Sequence, residues 1–447
     1  MAESEVLATF FGDEEFPVEW ESEEEKKLFW FFDDNHCGRP ISPMYGSLDG
    51  WWGPTLEYMY RRFGFPLGKA WIGKRVNGYL YSAIVPREPE SAALLGPYYG
   101  WIMPTYADKF LEWWQDRYLP EMLRNFEYID NFDTEAATLQ ELMVYLEEAI
   151  DMQYRHFCIH WILNLAQFQS SMDLQAAVKE VIGDVDPSLV GRILVSVKDR
   201  NWDSLETLWK LKEKVKSDEK LKAIFDAGQT ASVIIPELEK DQKGKAFLED
   251  VRAYVKEFGV KATMYPHEYI NKLWVEDITP AVETINGYLA SDYDFPTQYR
   301  NTVDDHKAAI RELFSRVPET ATKEQRKKLE TAVELATKMM PLTPDHHFYI
   351  DQGTFGRVRL VLLAIGRRMA KEGLLRDPED LMFLEYDQLR AYVANPKSAN
   401  NPEGYDGIAV IKEARRKFEE AHKIRPRDWI GTVTHWSMYV EPYHTLW

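Results

Sequence analysis

The chain has 447 residues and a formal net charge of −19 at pH 7, from 54 Lys and Arg against 73 Asp and Glu. Nucleic acids and anionic membranes both bind basic faces, so this acidity argues against either as a partner. The apolar content of 45% excludes a disordered chain, and two cysteines are too few for a disulfide framework. Because the acidic N-terminus also lacks the pattern of a secretory signal, we expect a cytoplasmic globular protein.

Residues 1–105 are rich in Trp, Tyr, Pro and Gly and show no sustained helical period. We expect an irregular, aromatic-rich segment that packs on a helical body and contains one or two short strands. The best strand candidate is residues 78–85, where Tyr79 and Tyr81 favour a strand and Pro86 ends the run.

Residues 106–340 have a helical pattern. Apolar residues recur at three- and four-residue steps between Leu139 and Ile150, as on one face of a helix. The most apolar stretch, residues 156–172, contains no Asp, Glu, Lys or Arg, but it is too short and too polar for a membrane span. We expect a multi-helix domain in which this stretch is a buried helix.

Residues 341–447 form the third predicted section. Apolar residues surround the helix that contains Val358 and Met369 on nearly all sides, which indicates a central, buried helix. A short apolar run at residues 381–384 favours a strand. The predicted fold is therefore mainly α, a multi-helix substrate-binding domain with an irregular N-terminal part and a few short strands.

One face of the uncharged helix carries a row of polar side chains at three- or four-residue steps: Gln153, His156, His160, Asn164 and Gln167. Buried polar groups need hydrogen-bond partners, so these residues are either paired within the core or line a ligand cavity. The spacing of His156 and His160 permits a shared metal, but Phe157 stands where a zinc protease helix has Glu. We therefore predict no metal.

A second group of titratable residues, His346, His347 and Asp351, precedes the central helix. A carboxylate can orient an imidazole that removes the proton of a hydroxyl group. Arg357 and Arg359 follow, and together with helix N-terminal amides they would favour a phosphoryl group. The alternative is that His346 caps a turn and the arginines pair with acids at the surface.

Other histidines give weaker signals. His36 lies in a segment whose Asp and Asn residues explain it as a turn, although a ligand contact is possible. No role is indicated for a further set of histidines, namely His267, His306, His422 and His444. The stretch from Gly64 to Lys69 lacks the spacing of a phosphate-binding loop, so we expect no nucleotide or other cofactor on this chain.

Several motifs carry a resemblance to a known family. They are Arg359-Leu360-x-Leu362-Leu363-x-Ile365-Gly366-Arg367-Arg368, Gly373-Leu374-Leu375, Pro378-Glu379-Asp380-Leu381, Phe258-Gly259-Val260-Lys261 and Trp274-x-Glu276-Asp277. This pattern resembles the substrate-binding segment of the phosphoenolpyruvate-utilising phosphotransferase family, which includes phenylphosphate synthase, rifampin phosphotransferase and flavonoid phosphate synthetase. In that family an ATP-grasp domain phosphorylates a histidine on a swivelling domain, which carries the phosphoryl group to the substrate.

The resemblance implies that this chain supplies only the substrate-binding part. The histidine motif of the swivelling domain is absent, because Thr434-His435 is followed by Trp436. We therefore expect an ATP-grasp subunit and a phosphohistidine swivelling subunit as partners, ATP and Mg²⁺ on a partner, and a small aromatic hydroxyl compound as the acceptor.

The resemblance also implies roles for the candidate residues. His346 or His347 with Asp351 would assist loss of the hydroxyl proton, and Arg357 or Arg359 would steady the phosphoryl group. The predicted acceptor contacts are the remaining polar residues, namely His36, Gln153, His156, His160 and Asn164. Two alternatives stay open: a non-catalytic module that binds an aromatic ligand or regulates a partner, and a self-sufficient hydrolase or metal enzyme that uses the histidines.

Overall fold

The computed structural model describes residues 16–48, 53–264 and 267–432. Thr434, His435 and His444 lie outside these residues. The fold is mainly α-helical, as predicted. Among the described residues, no helix is long and apolar enough to cross a membrane.

The N-terminal third contains three of the four described strands. These strands are β1 Phe29–Phe32, β2 Gly68–Val76, β3 Tyr79–Pro86 and, near the other end of the chain, β4 Trp429–Gly431. The helices of this part are α1 Glu23–Lys26, α2 Asp34–Cys37, α3 Pro43–Ser47, α4 Gly53–Phe63, α5 Pro89–Trp113 and α6 Leu119–Asp130. A π-helical turn, Trp114–Tyr118, joins α5 to α6.

The rest of the described chain is helical apart from its loops and β4. Its first helices are α7 Leu139–Val181, α8 Pro187–Ile193, α9 Arg200–Ser217, α10 Glu219–Ala227, α11 Ala231–Leu238, α12 Gln242–Phe258 and α13 Thr279–Ala290. The later ones are α14 Phe295–Ser315, α15 Lys323–Met339, α16 Leu342–His346, α17 Gly353–Lys371, α18 Tyr386–Ala394 and α19 Gly407–Ala421. A π-helical turn, His347–Gln352, leads into α17, and a 3-10 helix, Pro378–Phe383, follows it.

The sheet is antiparallel with the strand order β2-β3-β1-β4. Asn77 and Gly78 connect β2 to β3 with φ angles of 49° and 90°, the left-handed conformation that a tight hairpin turn requires. Trp30 of β1 lies opposite Ala83 of β3 and Ile430 of β4. The sheet therefore ties residues from both ends of the described chain together.

The long helix α7 and the central helix α17 form the middle of the molecule. Thr138 and Glu141 cap the start of α7 reciprocally, which satisfies two backbone N–H groups. Residues of α7 between Phe157 and Leu163 are buried, and Val358 and Ile365 of α17 are fully buried. The predicted helix at residues 156–172 is buried over residues 156–163, whereas its second half is mostly half-buried and Met172 is exposed; the helix around Val358 is central, as predicted.

The largest hydrophobic core takes residues from all three predicted sections, such as Met44, Phe157 and Leu362. A second core lies among α9, α12 and α13, and a third joins the end of α7 to α14 and α15. The N-terminal section packs directly on the helical body, because Trp161 of α7 donates a hydrogen bond to Thr55 of α4.

Two expectations about local structure were wrong. The N-terminal section includes the 25-residue helix α5, although Pro97 and Pro104 lie inside it and break the apolar period. The run at residues 381–384 is not a strand, because Asp377 caps a 3-10 helix that begins at Pro378. In both places proline obscured the helical pattern in the sequence.

Gly366 of α17 permits close packing against the 3-10 helix. A Cβ atom at this position would lie 2.2 Å from the carbonyl oxygen of Pro378, and that backbone atom cannot move like a side chain. We expect Gly366→Ala to lower the free energy of unfolding by about 1–3 kcal/mol, measured by guanidinium denaturation. Gly287→Ala in α13 is the control, because a Cβ there meets open space and favours the helix. Equal stabilities of the two variants would contradict this prediction.

Candidate functional site

The side chain of Asp351 is the centre of a buried histidine cluster. Oδ1 lies 3.4 Å from Nδ1 of His160 and 3.3 Å from Nε2 of His267. Oδ2 lies 3.7 Å from Nε2 of His346 and contacts Nδ1 of His347 more closely. Each carboxylate oxygen therefore faces two imidazoles.

Four parts of the chain supply these side chains. His160 belongs to the buried part of α7, and His267 belongs to the loop between α12 and α13. His346 ends α16, while His347 and Asp351 lie four residues apart in the π-helical turn. Such turns are rare and widen the helix locally, which is why they occur often at functional sites.

Only one member of the cluster is well exposed. The side chains of His160, His267, His346 and Asp351 are at most 3% exposed, whereas that of His347 is 44% exposed. His347 therefore connects the buried carboxylate to the surface.

His36 extends the cluster on one side. Its ring stacks on that of His267 with centroids 5.0 Å apart, and its Nδ1 lies 2.7 Å from Oδ1 of Asp33. Although burial opposes a charge on His36, the carboxylate of Asp33 raises the pKa of this imidazole. The structure thus brings His36 to the other predicted histidines.

Aromatic side chains enclose the cluster. Phe157 stacks on His160, Trp161 meets the same ring edge-on at 4.6 Å, and Phe355 lies 4.7 Å from His267. These rings exclude water from the imidazoles and strengthen the electrostatic interactions between the polar groups.

The Asp351 carboxylate and the His347 imidazole stabilise each other's charged forms. Burial by itself would raise the pKa of Asp351, but His347 and then His160 hold it well below its usual range, so the carboxylate is ionised. Burial also opposes a charge on His347, yet Asp351 raises the pKa of its imidazole. This pair can therefore hold a proton at the edge of the cluster.

Burial disfavours the charged form of the other three histidines around Asp351. Burial lowers the pKa of His160 well below its usual range and lowers that of His267. Burial and the neighbouring His347 lower the pKa of His346 to about 4. Neutral imidazoles each present one nitrogen lone pair, which can accept a proton or bind a metal ion.

Two of the predicted acceptor contacts, Gln153 and His156, are instead paired within the core. Gln153 exchanges hydrogen bonds with the hydroxyl of Tyr269. The ring nitrogens of His156 lie 2.8 Å from Oγ1 of Thr354 and 3.0 Å from Nδ2 of Asn125. For these two residues the internally satisfied alternative fits the structure.

The next two polar residues of this helix face, Asn164 and Gln167, lie closer to the histidine cluster or to the segment before it. Asn164 lies beside His160, with its Nδ2 atom 2.8 Å from Nε2 of the imidazole. Gln167 donates a hydrogen bond to Thr343. Asn164 is therefore a residue that orients His160.

Arg359, for which a phosphoryl contact was predicted, lies in the core. Its side chain is 1% exposed, and its guanidinium binds Glu276, Glu379 and the carbonyl oxygen of Tyr269. A guanidinium with all three nitrogens occupied by protein groups in the core cannot approach a ligand.

Arg357 has a different environment. It pairs with Asp130, stacks on Phe126 at 3.8 Å and borders a cavity of about 960 Å³. The same cavity is lined by further basic residues, namely Arg252, Lys256 and Arg367, and by the acidic residues Asp130, Glu239, Glu276 and Asp277. A phosphoryl contact for Arg357 stays a prediction.

His267 is the site residue that the sequence did not reveal. It lies in a loop without a periodic pattern. In the structure the neighbouring Glu268 accepts hydrogen bonds from Ser42 and so holds this loop against the N-terminal section. Ser42 follows closely after His36. A pairing between these two loops could have been inferred only from contacts distant in the chain.

The burial of His156 has a consequence for stability. Burial, together with Arg357 and Arg155, lowers the pKa of this imidazole to about 3, against about 6.5 in an unfolded chain. Below pH 6.5 the unfolded state therefore binds a proton that the folded state rejects, so stability falls as the pH falls from 6.5 towards 3.

When the pH is lowered from 7 to 5, the free energy of unfolding should decrease in the wild type. We expect this decrease to be about 1–2 kcal/mol smaller in His156→Gln. Guanidinium denaturation at both pH values measures this difference. His422→Gln is the control, since His422 is exposed and should leave the pH dependence unchanged. An equal loss in the wild type and His156→Gln would disprove the burial effect.

Comparisons with known proteins point to one family. Residues 163–343 match the family described as the rifampicin phosphotransferase fourth domain. This range contains His267 and ends shortly before His346, so the cluster lies partly inside and partly outside the matched domain.

Two curated relatives match nearly the whole chain. The uncharacterized phosphotransferase YvkC of Bacillus subtilis (strain 168) is 22% identical over 409 residues, which cover 91% of this chain and 46% of that protein. Chondramide synthase cmdD of Chondromyces crocatus is 25% identical over 452 residues, which cover 94% of this chain and 11% of that protein. The chain thus spans less than half the length of either relative. Together these matches agree with the resemblance found in the sequence: the chain is similar to phosphotransferase-like proteins.

Proposed function

We propose that this chain is the acceptor-binding part of a phosphotransferase that phosphorylates a hydroxyl group, with a phenol as the acceptor. The phosphoryl donor in this proposal is a phosphohistidine on a separate swivelling unit, which an ATP-grasp unit charges with ATP and Mg²⁺. The match to a phosphotransferase domain and the phosphotransferase name of one relative support this class of reaction.

The observation that carries the proposal is the pair formed by His347 and Asp351. His347 directs Nδ1 towards the buried carboxylate and its side chain is 44% exposed, so in this proposal the other ring nitrogen, Nε2, meets the ligand. A carboxylate that orients an imidazole and stabilises its charged form is the arrangement that general base catalysis needs.

The proposed step is a direct transfer. The acceptor oxygen attacks phosphorus, the new O–P bond forms, and the P–N bond to the carrier histidine breaks with its electron pair returning to that imidazole. His347 in its neutral form takes the acceptor proton at Nε2, and Asp351 stabilises the resulting imidazolium. Positioning and charge stabilisation supply most of the rate enhancement in phosphoryl transfer.

The base suits a phenolic acceptor. Phe157, Trp161 and Phe355 are buried against the imidazoles, so in this proposal the acceptor meets the cluster at the exposed side of His347. A phenol has a pKa of about 10, so a base of modest strength is sufficient to ionise it during transfer.

The non-catalytic alternative, in which the chain binds an aromatic ligand without turnover, predicts ligand binding that is insensitive to the base. The buried, ionised carboxylate beside an exposed imidazole favours catalysis over binding alone, because a pure binding site gains nothing from a proton acceptor of this kind.

We expect His347→Gln to lower the rate of phosphoryl transfer by about 10²- to 10⁴-fold, because the substitution removes the proton acceptor. The measurement is transfer of labelled phosphate from the charged carrier to phenols when the full chain is supplied with its carrier and ATP-grasp units. His422→Gln is the matched control, because this histidine is exposed and lies outside the cluster. A His347→Gln variant that transfers phosphate at the wild-type rate would refute the assignment of the base.

A further inference from the structure

One ring nitrogen of His346 faces the Asp351 carboxylate without a hydrogen between them. Its Nδ1 lies 3.1 Å from the carbonyl oxygen of Leu342, which can only accept, so Nδ1 carries the hydrogen. In the neutral ring Nε2 then carries a lone pair, and this lone pair faces Oδ2 of Asp351 at 3.7 Å. Two electron-rich atoms thus face each other in a buried site.

His160 lies on the other side of the carboxylate, with its Nδ1 3.4 Å from Oδ1 of Asp351. Its Nδ1 is buried and has no hydrogen-bond partner among residues 16–48, 53–264 and 267–432, as is also true of Nε2 of His346. Buried polar atoms without partners are rare and require an explanation such as a bound ion.

We propose that Nδ1 of His160, Nε2 of His346 and the carboxylate of Asp351 form a binding site for a divalent transition-metal ion of the zinc class. The three ligand atoms all lie within 4.8 Å of one another. Imidazole nitrogens with one carboxylate are the donor set that Zn²⁺ and neighbouring ions prefer over Mg²⁺ and Ca²⁺.

The distances are close to those of a bound ion. A tetrahedral zinc ion with bonds of about 2.0–2.2 Å holds its ligand atoms about 3.4 Å apart. Oδ1 of Asp351 lies 3.4 Å from Nδ1 of His160, and Oδ2 lies 3.7 Å from Nε2 of His346, so the two oxygens face one histidine each. Small rotations of the side chains are sufficient to bring all three donors onto one ion.

The residues that contact the proposed metal ligands are also of the kinds that support a metal site. A histidine that binds a metal usually donates its other ring N–H to a carbonyl or carboxylate, as His346 does to Leu342. Asn164 lies 2.8 Å from Nε2 of His160, and rotation of its amide places the oxygen there as an acceptor, which frees Nδ1 for the metal. His267 contacts Oδ1 of Asp351 and can fix the orientation of the carboxylate.

The expectation of no metal rests on a single-helix zinc motif around His156 and Phe157. The proposed site uses only His160 from that helix and takes its other ligands from a distant part of the chain. Binding of the ion does not depend on the proposed function. Its role as a Lewis acid that lowers the pKa of an acceptor hydroxyl does rest on that function.

The test uses the purified full chain after treatment with a chelator. We expect the protein to bind one equivalent of Co²⁺ at pH 7 with visible absorption bands of a low-coordinate site, and Zn²⁺ to displace it. Asp351→Asn and His346→Phe should each weaken binding by at least about 100-fold. His156→Gln is the matched control, since this buried histidine of the same helix has partners on both nitrogens, and it should bind Co²⁺ as the wild type does.

A second measurement does not require any variant to fold. X-ray absorption of the zinc-loaded wild type should show two imidazoles and an oxygen donor around the ion. The proposal is overturned if the folded protein takes up neither Co²⁺ nor Zn²⁺, if Asp351→Asn binds as tightly as the wild type, or if the absorption spectrum lacks the two imidazoles. Because each readout is metal binding, a failed phosphotransfer assay would leave these results unaffected.

Discussion

The ionised carboxylate of Asp351 is the constraint on which the rest of the site depends. Removing a carboxylate from water costs several kcal/mol, and the cost is offset only when positive charge or hydrogen-bond donors surround the group. In this protein His347 supplies most of the opposing charge, and three further imidazoles lie within 3.7 Å of the carboxylate oxygens. The fold must therefore bring four separate positions of the chain to one point.

The architecture meets this requirement with rigid elements. The buried part of α7 fixes His160, and the π-helical turn before α17 fixes His347 and Asp351. The same two helices form the middle of the largest core, so packing of the core and geometry of the site are linked. The polar groups near the cluster have two different roles. Arg359 stabilises the loop of His267 through Tyr269, whereas His347 is exposed and is the proposed base.

The sequence predicted the parts of this structure that depend on neighbouring residues. The buried helix, the central helix and the group formed by His346, His347 and Asp351 follow from local patterns and short spacings. The sequence did not distinguish a ligand contact from internal pairing for Gln153 and Arg359, because a sequence does not show whether a polar group has a partner elsewhere in the fold. The actual partners, Tyr269 and Glu276, belong to a distant loop.

Other features lay beyond such patterns for specific physical reasons. Pro97 and Pro104 interrupt the apolar pattern of α5, so the sequence did not predict this helix, although the helix accommodates both prolines. His267 has no periodic neighbours, so its place beside Asp351 results only from the way its loop packs on α7 and α17. A metal site assembled from α7, α16 and the π-helical turn is likewise invisible to motifs confined to one helix.

The central claim is that this chain holds the acceptor while the phosphoryl group arrives on a histidine of another unit. The most direct measurement follows labelled phosphate from ATP in mixtures of this chain with its carrier and ATP-grasp units. Our account predicts a labelled phenol phosphate only when all three units are present, with no covalent label on this chain. If this chain alone consumed ATP and became phosphorylated, the account would be contradicted.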